Sequence, residues 1–289
     1  MAEFLVIGAL ALDRPVRLSA ALESGGRLLG RTLAGALEGR LGGGAANAGV
    51  ALARSGHRAA VLTVLADDAD GEACLTLTQA AGLDTSRVVR RSGTSRKTLI
   101  LIEPDGERLV LGLDFEATTL PPLPPPPPRL GERFEGLYVR APYPGAEAWA
   151  AACRGPVVAH WPAGGFAGPC DVLVASMDDC DAATLADPFA AGRSQVGDRL
   201  GWMVLTRGGH TVMAHNGQRV VRATPPPAKV VDATGAGDCF AAGLLEALTA
   251  GADMRAALAH ACAWGAVAVG LDASAPLEGV FPAFRPGAS

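Results

Sequence analysis

A chain of 289 residues, 49% of them hydrophobic and with a mean hydropathy of +0.25, has apolar material for a sizeable core, which excludes general disorder. A net charge of −4 with lysine only at Lys97 and Lys229 excludes the basic face that nucleic acid requires. No apolar run reaches bilayer length without glycine, proline or charge, and the cysteines form no C-x-x-C pair. Reduced thiols, a cytoplasmic location and no membrane partner are therefore expected.

Strand-like and helix-like segments alternate along the chain, which favours an α/β sandwich with a largely parallel sheet. Phe4–Gly8 reads as a buried first strand; it lacks the basic flank of a signal peptide. Ala45–Ser55 reads as a helix closed by Gly56, Ala59–Leu65 as a strand, and Gly71–Ala81 as a helix closed by Gly82. Thr98–Ile102 and Arg108–Leu111 flank Asp105-Gly106, a tight-turn pair, and the hairpin they make is too small to bury its own core. The proline tract from Pro121 to Pro128 must be extended; it reads as a stiff connector or, less simply, a peptide ligand. Gly136–Arg140, Pro156–His160, Val172–Ala175 and Trp202–Thr206 are further strands, and the loops beyond such strands are where open parallel sheets bind ligands. Phe240, Leu244 and Leu248 recur every fourth residue in a helix before Gly251, and a last helix starts after Asp253 and runs to about Val269.

Asp232-Ala233-Thr234-Gly235-Ala236-Gly237-Asp238 carries the most chemistry. Small residues just before a helix let backbone N–H groups converge on an anion at the positive end of the helix dipole. A carboxylate beside such a nest is placed to take a proton from an attacking hydroxyl. The plain alternative is a structural loop in which an aspartate caps the helix. Rival motifs fail: Gly42-x-Gly44-x-x-Asn47 lacks the third glycine of a dinucleotide fingerprint, and neither lysine stands in a P-loop. Asp68-x-Asp70-Gly71 lacks the first and last ligands of an EF-hand, and His210 and His215 have no third ligand at useful spacing.

The segment Asp232–Asp238 resembles the C-terminal D-[TA]-T-G-A-G-D signature of the PfkB carbohydrate kinases. Gly42 to Gly56 is similar to the N-terminal signature of that family, and Val64 to Gly71 to its V-G-x-D-x-x-G. The resemblance runs in the expected order over nearly the whole chain. It implies a ribokinase-like α/β/α sandwich, α/β in class, with a mostly parallel central sheet in a single domain, 1–289. A small β lid would be built from segments near 14–41 and 94–116. ATP and Mg2+ are the implied cofactors, K+ a further one. A sugar or polyol is the implied partner, and a homodimer through the lid the implied assembly.

Residue by residue, the resemblance makes Asp238 the base and the amides of Gly235, Ala236 and Gly237 an anion hole. Asp13, Gly42, Gly43 and Asn47 would hold sugar hydroxyls, the lesser alternative being that Asn47 caps its helix and Asp13 a turn. Thr206 and Gly208 would contact ATP, as would Ser176; Asp232 and Thr234 would contribute to a monovalent-cation site. The sequence departs from the family in three places. Ser176-Met177-Asp178-Asp179 replaces N-x-x-E, leaving Asp179 to hold magnesium through water. Gly44 stands where many ribokinases and phosphosugar kinases carry lysine. The proline tract replaces a helical stretch.

The acceptor is least legible. Arg96 alternates with Thr94 and Thr98 on the lid strand, where it would grip a phosphate or simply face outward. Arg140, at a strand end, would grip a carboxylate or phosphate, or make a surface ion pair. A neutral sugar or polyol is the favoured acceptor. Sugar phosphates, nucleosides and a non-catalytic binding role are the alternatives.

Overall fold

The computed structural model describes residues 1–32, 39–95, 97–106, 108–113, 120–141, 143–161, 166–271, 275 and 281–285. In chain order the first half holds β1 (Glu3–Ile7), β2 (Ala11–Leu18), β3 (Gly30–Thr32), β4 (Arg40–Gly42) and α1 (Gly44–Arg54). It continues through β5 (Arg58–Leu62), β6 (Val64–Ala66), α2 (Ala69–Ala80), β7 (Val89–Arg91), β8 (Lys97–Ile102) and β9 (Arg108–Leu113). The second half begins with α3 (Leu130–Arg133), β10 (Gly136–Val139), α4 (Ala146–Ala152), β11 (Val157–His160) and β12 (Val172–Ser176). It ends with α5 (Ala182–Ala186), α6 (Pro188–Val196), β13 (Trp202–Thr206), β14 (Val212–His215), β15 (Val220–Ala223), α7 (Ala236–Thr249) and α8 (Met254–Val269).

The main sheet has the order β15-β14-β13-β12-β11-β10-β1-β5. From β5 to β13 all pairings are parallel; β14 and β15 add an antiparallel edge. Alternation along β1 explains the layers, because successive side chains of a strand face opposite ways. Phe4 and Val6 enter one core with residues of α1, α7 and α8. Leu5 and Ile7 enter another with α3, α4 and α6. The sheet is thus sandwiched between helices, and near-continuous apolar strands are what such burial demands.

A second sheet has the order β3-β2-β8-β9, with β4 paired to β2. The expected hairpin forms its β8 and β9, with Gly106 at φ +92° in the turn. The sheet is fastened to the body by aspartates. Asp68 caps α2 by accepting from Gly71 N–H at 2.8 Å, and it also accepts from the amide and hydroxyl of Ser95, each at 2.7 Å. Asp70 pairs with Arg14 of β2 at 3.1 Å. The Val64 to Gly71 segment therefore anchors the second sheet and begins α2.

The proline tract is extended and pinned. Leu123 is buried, its N–H donates to Pro144 O, and Pro124 O accepts from Trp149 Nε1 at 2.7 Å. The six cysteines are unpaired thiols. Among the described residues no helix is long and apolar enough to cross a membrane.

Candidate active site

The C-terminal ends of β1, β10, β11, β12 and β13 lie side by side, and the loop before α7 meets them. Asp238 sits in the first turn of α7, 6% exposed. Its Oδ1 accepts from Arg140 Nε at 2.6 Å and from Tyr138 Oη at 3.2 Å; its Oδ2 accepts from Asn47 Nδ2 at 2.8 Å. Burial is the largest influence on Asp238 and opposes its charge; the strongest influence against burial is the adjoining Arg140 guanidinium. With the Asn47 and Arg140 hydrogen bonds it holds the carboxyl below its ordinary range. In return Arg140 is held more firmly protonated.

Tyr138 keeps its proton, because burial and the Asp238 charge push the phenol well above its usual value. His160 Nδ1 lies 3.3 Å from Tyr138 Oη. Burial and the Arg140 charge press His160 down to about 4, so it stays neutral near pH 7 and adds no charge beside Asp238. The result is a carboxylate that is ionised, buried and hydrogen-bonded at both oxygens.

The loop before α7 turns through Gly235, at φ +78°, where a side chain would collide with Asn47. That close approach brings the two distant glycine segments together. The Ala236 N–H donates to Ala233 O at 3.3 Å. The amides of Gly235 and Gly237 donate to no acceptor among the described residues. Of the three expected anion-hole donors, two are left unengaged at the positive end of a fourteen-residue helix.

Among the residues expected to bind the acceptor, Asn47 is no helix cap. It lies within α1, and besides donating to Asp238 it accepts from Ala275 N–H at 2.7 Å. Asp13 does not cap a turn either: it is buried in β2, 4% exposed and in register with Arg40 of β4. A side chain at Gly42 would strike the Asp13 carboxylate, and Gly43, at φ +86°, passes against Ala9 O. Both glycines are thus required by close approach. A side chain at Gly44 would strike Arg140 Cγ, so the missing lysine leaves the groove that Arg140 fills. A cleft of about 910 Å3 begins next to this point, lined by Ala9, Leu12, Ala66, Thr94, Ala141 and Tyr143 among others. Arg96 lies outside the described residues.

On the other side, Ser176 and Thr206 are register partners at the ends of β12 and β13. Thr206 Oγ1 donates to Ala175 O at 3.1 Å, and Ser176 Oγ accepts from Asp178 N–H at 3.3 Å. Gly208 turns the following loop at φ +48°. Asp178 pairs with Arg207 at 3.4 Å, whereas exposed Asp179 has no partner among the described residues. It still lies near enough to Arg140 to reinforce that residue's charge. An unpartnered carboxylate at this strand end fits a hydrated magnesium ion.

The monovalent-cation position is different. Asp232, 1% exposed, accepts from Thr234 N–H at 2.8 Å through Oδ1 and from Arg40 Nη2 at 2.8 Å through Oδ2. Burial opposes its charge, and these bonds with the Arg40 charge outweigh that and lower its pKa. Thr234 Oγ1 is buried without a partner among the described residues. The carboxylate that would attract an alkali cation already holds a guanidinium, so these residues do not fit K+. Among the described residues no cluster of three or more His, Cys, Asp or Glu could hold a metal directly.

Sequence reasoning missed Tyr138, His160 and Arg40. Tyr138 was within reach of it, since it stands two residues before Arg140 and shares its strand face. His160 ends the neighbouring strand. Nothing local marks Arg40, which meets its partner across 192 positions.

A model of the pfkB family of carbohydrate kinases matches residues 24–120 and 173–276. The chain belongs to that family. No curated protein matches it. Among solved structures, a candidate ribokinase from Agrobacterium tumefaciens is 21% identical with a TM-score of 0.81, covering 98% of this chain and 94% of that one. A ribokinase from Cryptococcus neoformans var. grubii serotype A in complex with ADP is 19% identical with a TM-score of 0.71, covering 98% and 97%. One from Arabidopsis thaliana complexed with ribose and ATP is 18% identical with a TM-score of 0.70, covering 98% and 96%. At these identities the likeness establishes the ribokinase fold of this pfkB chain.

Proposed function

We propose that this pfkB protein transfers the terminal phosphoryl group of ATP to a hydroxyl of a small sugar or related polyol. The observation that carries the reading is Asp238, an ionised carboxylate in the first turn of α7 beside unengaged loop amides. Asp238 takes the proton of the acceptor hydroxyl as its oxygen bonds to the terminal phosphorus; the bond from that phosphorus to the bridging oxygen breaks, and ADP leaves. The amides of Gly235 and Gly237 stabilise the charge on the transferring group. Asp13, Gly42, Gly43 and Asn47 orient the acceptor, and Thr206, Gly208 and Ser176 hold the nucleotide. Magnesium, its waters held by Asp179, would offset the phosphate charge.

Two further features belong to the same reading. Arg40 supplies at Asp232 the positive charge that an alkali cation would otherwise bring, so activity does not require K+. The second sheet acts as the lid and as the homodimer surface. Its outer strand β9 leaves Leu109, Val110, Leu111 and Leu113 exposed, an apolar edge that a second copy would cover.

The test is acceptor-dependent ADP formation over neutral sugars, sugar acids, sugar phosphates and nucleosides. ADP formation stimulated by one class supports the reading. ATP left intact with every class refutes it.

A further inference from the structure

Arg140 raises a question that the base assignment leaves open: why a guanidinium stands against the carboxylate that must accept a proton. Another arginine of the chain shows what a purely structural role looks like. Arg199 uses every nitrogen: Nε and Nη2 grip Asp171, while Nη1 and Nη2 donate to the carbonyls of Ala150, Cys153 and Gly155. Arg140 donates through Nε alone, to Asp238 at 2.6 Å. Its Nη1 and Nη2 make no hydrogen bond with any described residue, and the side chain remains 35% exposed.

The backbone is also shaped around it. A side chain at Gly44 would collide with Arg140 Cγ, and a Cβ at Gly8 would come within 3.0 Å of Arg140 Cβ. Glycines on two different segments thus keep a channel open for one cation. Charge compensation of Asp238 would need neither the channel nor an open fork. A planar pair of N–H donors, fixed at its inner end and free at its outer end, matches a carboxylate or phosphate.

Resting on the kinase reading, we infer that Arg140 selects an acceptor carrying an anionic group, carboxylate or phosphate, beside the hydroxyl that is phosphorylated. With the outer nitrogens unoccupied, the guanidinium charge bears fully on Asp238 and weakens it as a base. An anion on those nitrogens shares the charge and returns basicity to Asp238 as the acceptor arrives. A neutral sugar does not, so selectivity and activation have one origin.

The experiment is calorimetric binding and steady-state turnover with tetronic, pentonic and hexonic acids, their neutral parent sugars and the corresponding sugar phosphates. The wild-type protein should bind at least one acid or phosphate more tightly than its neutral parent, and the acid and phosphate arms identify which anion is read. Arg140→Gln should weaken that ligand on the order of ten-fold or more, and by a clearly larger factor than the neutral parent. It should also move the acid limb of kcat/KM to higher pH, because Asp238 loses the cation that holds its pKa down. Arg140→Lys should recover part of the affinity. If Arg140→Gln fails to fold, Gly44→Ala, which crowds the channel, should reproduce the loss of selectivity. Equal affinity for acids, phosphates and neutral parents, or equal losses for all of them in Arg140→Gln, would overturn the inference. Ester formation on a neutral sugar without anion preference would do so while leaving the kinase reading intact. Arg140-dependent binding of an acid with no ester formed would instead support the inference and remove the kinase reading.

Discussion

The loop before α7 and the first turn of that helix each carry a buried aspartate, and each is answered by an arginine, yet the two pairs are built differently. Asp232 is sealed: Arg40 and the Thr234 amide take its two oxygens, and it is 1% exposed. Asp238 is held just as closely, by Asn47, Tyr138 and Arg140, but Arg140 is partly exposed and has an open fork. A buried charge needs a partner in either place. Only at Asp238 is the partner of a kind that an incoming ligand can share, so the first pair sets the loop and, in the proposed reading, the second receives the acceptor.

The widest break in this comparison should come at Asp238. Asp238→Asn should lower kcat by about 10²–10⁴-fold, the usual contribution of a general base, with the thermal melt close to wild type; a folded variant with undiminished kcat would return Asp238 to a structural role. Arg40→Met should act next, on stability. Leaving Asp232 buried without its cation should cost about 3 kcal/mol, and potassium should restore more of the melting temperature and activity than choline at equal ionic strength. The wild-type protein should be indifferent to that exchange, and a wild-type requirement for potassium would contradict the sealed pair. The smallest effect belongs to the edge of the site. Asp179→Ala should raise the magnesium concentration for half-maximal rate several-fold, as expected for a carboxylate that holds the ion through water, while the acceptor KM stays put; an unchanged magnesium titration would transfer the role to Asp178.

The sequence made some parts of this molecule plain for physical reasons. β1, α1, α7 and α8 carry strong apolar patterns with clear stops, and the final helix begins at Asp253, whose side chain accepts from Ala256 N–H. Both glycine signatures were visible as motifs, and their contact has a physical reason: the absence of a side chain at Gly235 is what lets Asn47 approach that loop. Other parts were hidden. The run Ala59–Leu65 reads as one strand but divides at Thr63 into β5 and β6, which belong to different sheets. β2 contains Asp13, Arg14, Pro15 and Arg17 and has no strand signature; its pairing with β4 and β8 makes it a strand. α5 and α6 are short, and each depends on an aspartate cap rather than on periodicity. Arg40 was beyond reach because an ion pair spanning the chain leaves no local trace, whereas Tyr138 was only overlooked beside Arg140.

The most direct measurement of the central claim follows phosphorus itself. ATP, magnesium and the acceptor that most stimulates ADP release are incubated with the protein, and the products are resolved by ³¹P NMR. The account predicts ADP and a phosphate ester of the acceptor in equal amounts, neither forming when the acceptor is withheld and both suppressed in Asp238→Asn. ADP with free inorganic phosphate and no ester, at a rate indifferent to the acceptor and to Asp238, would contradict it.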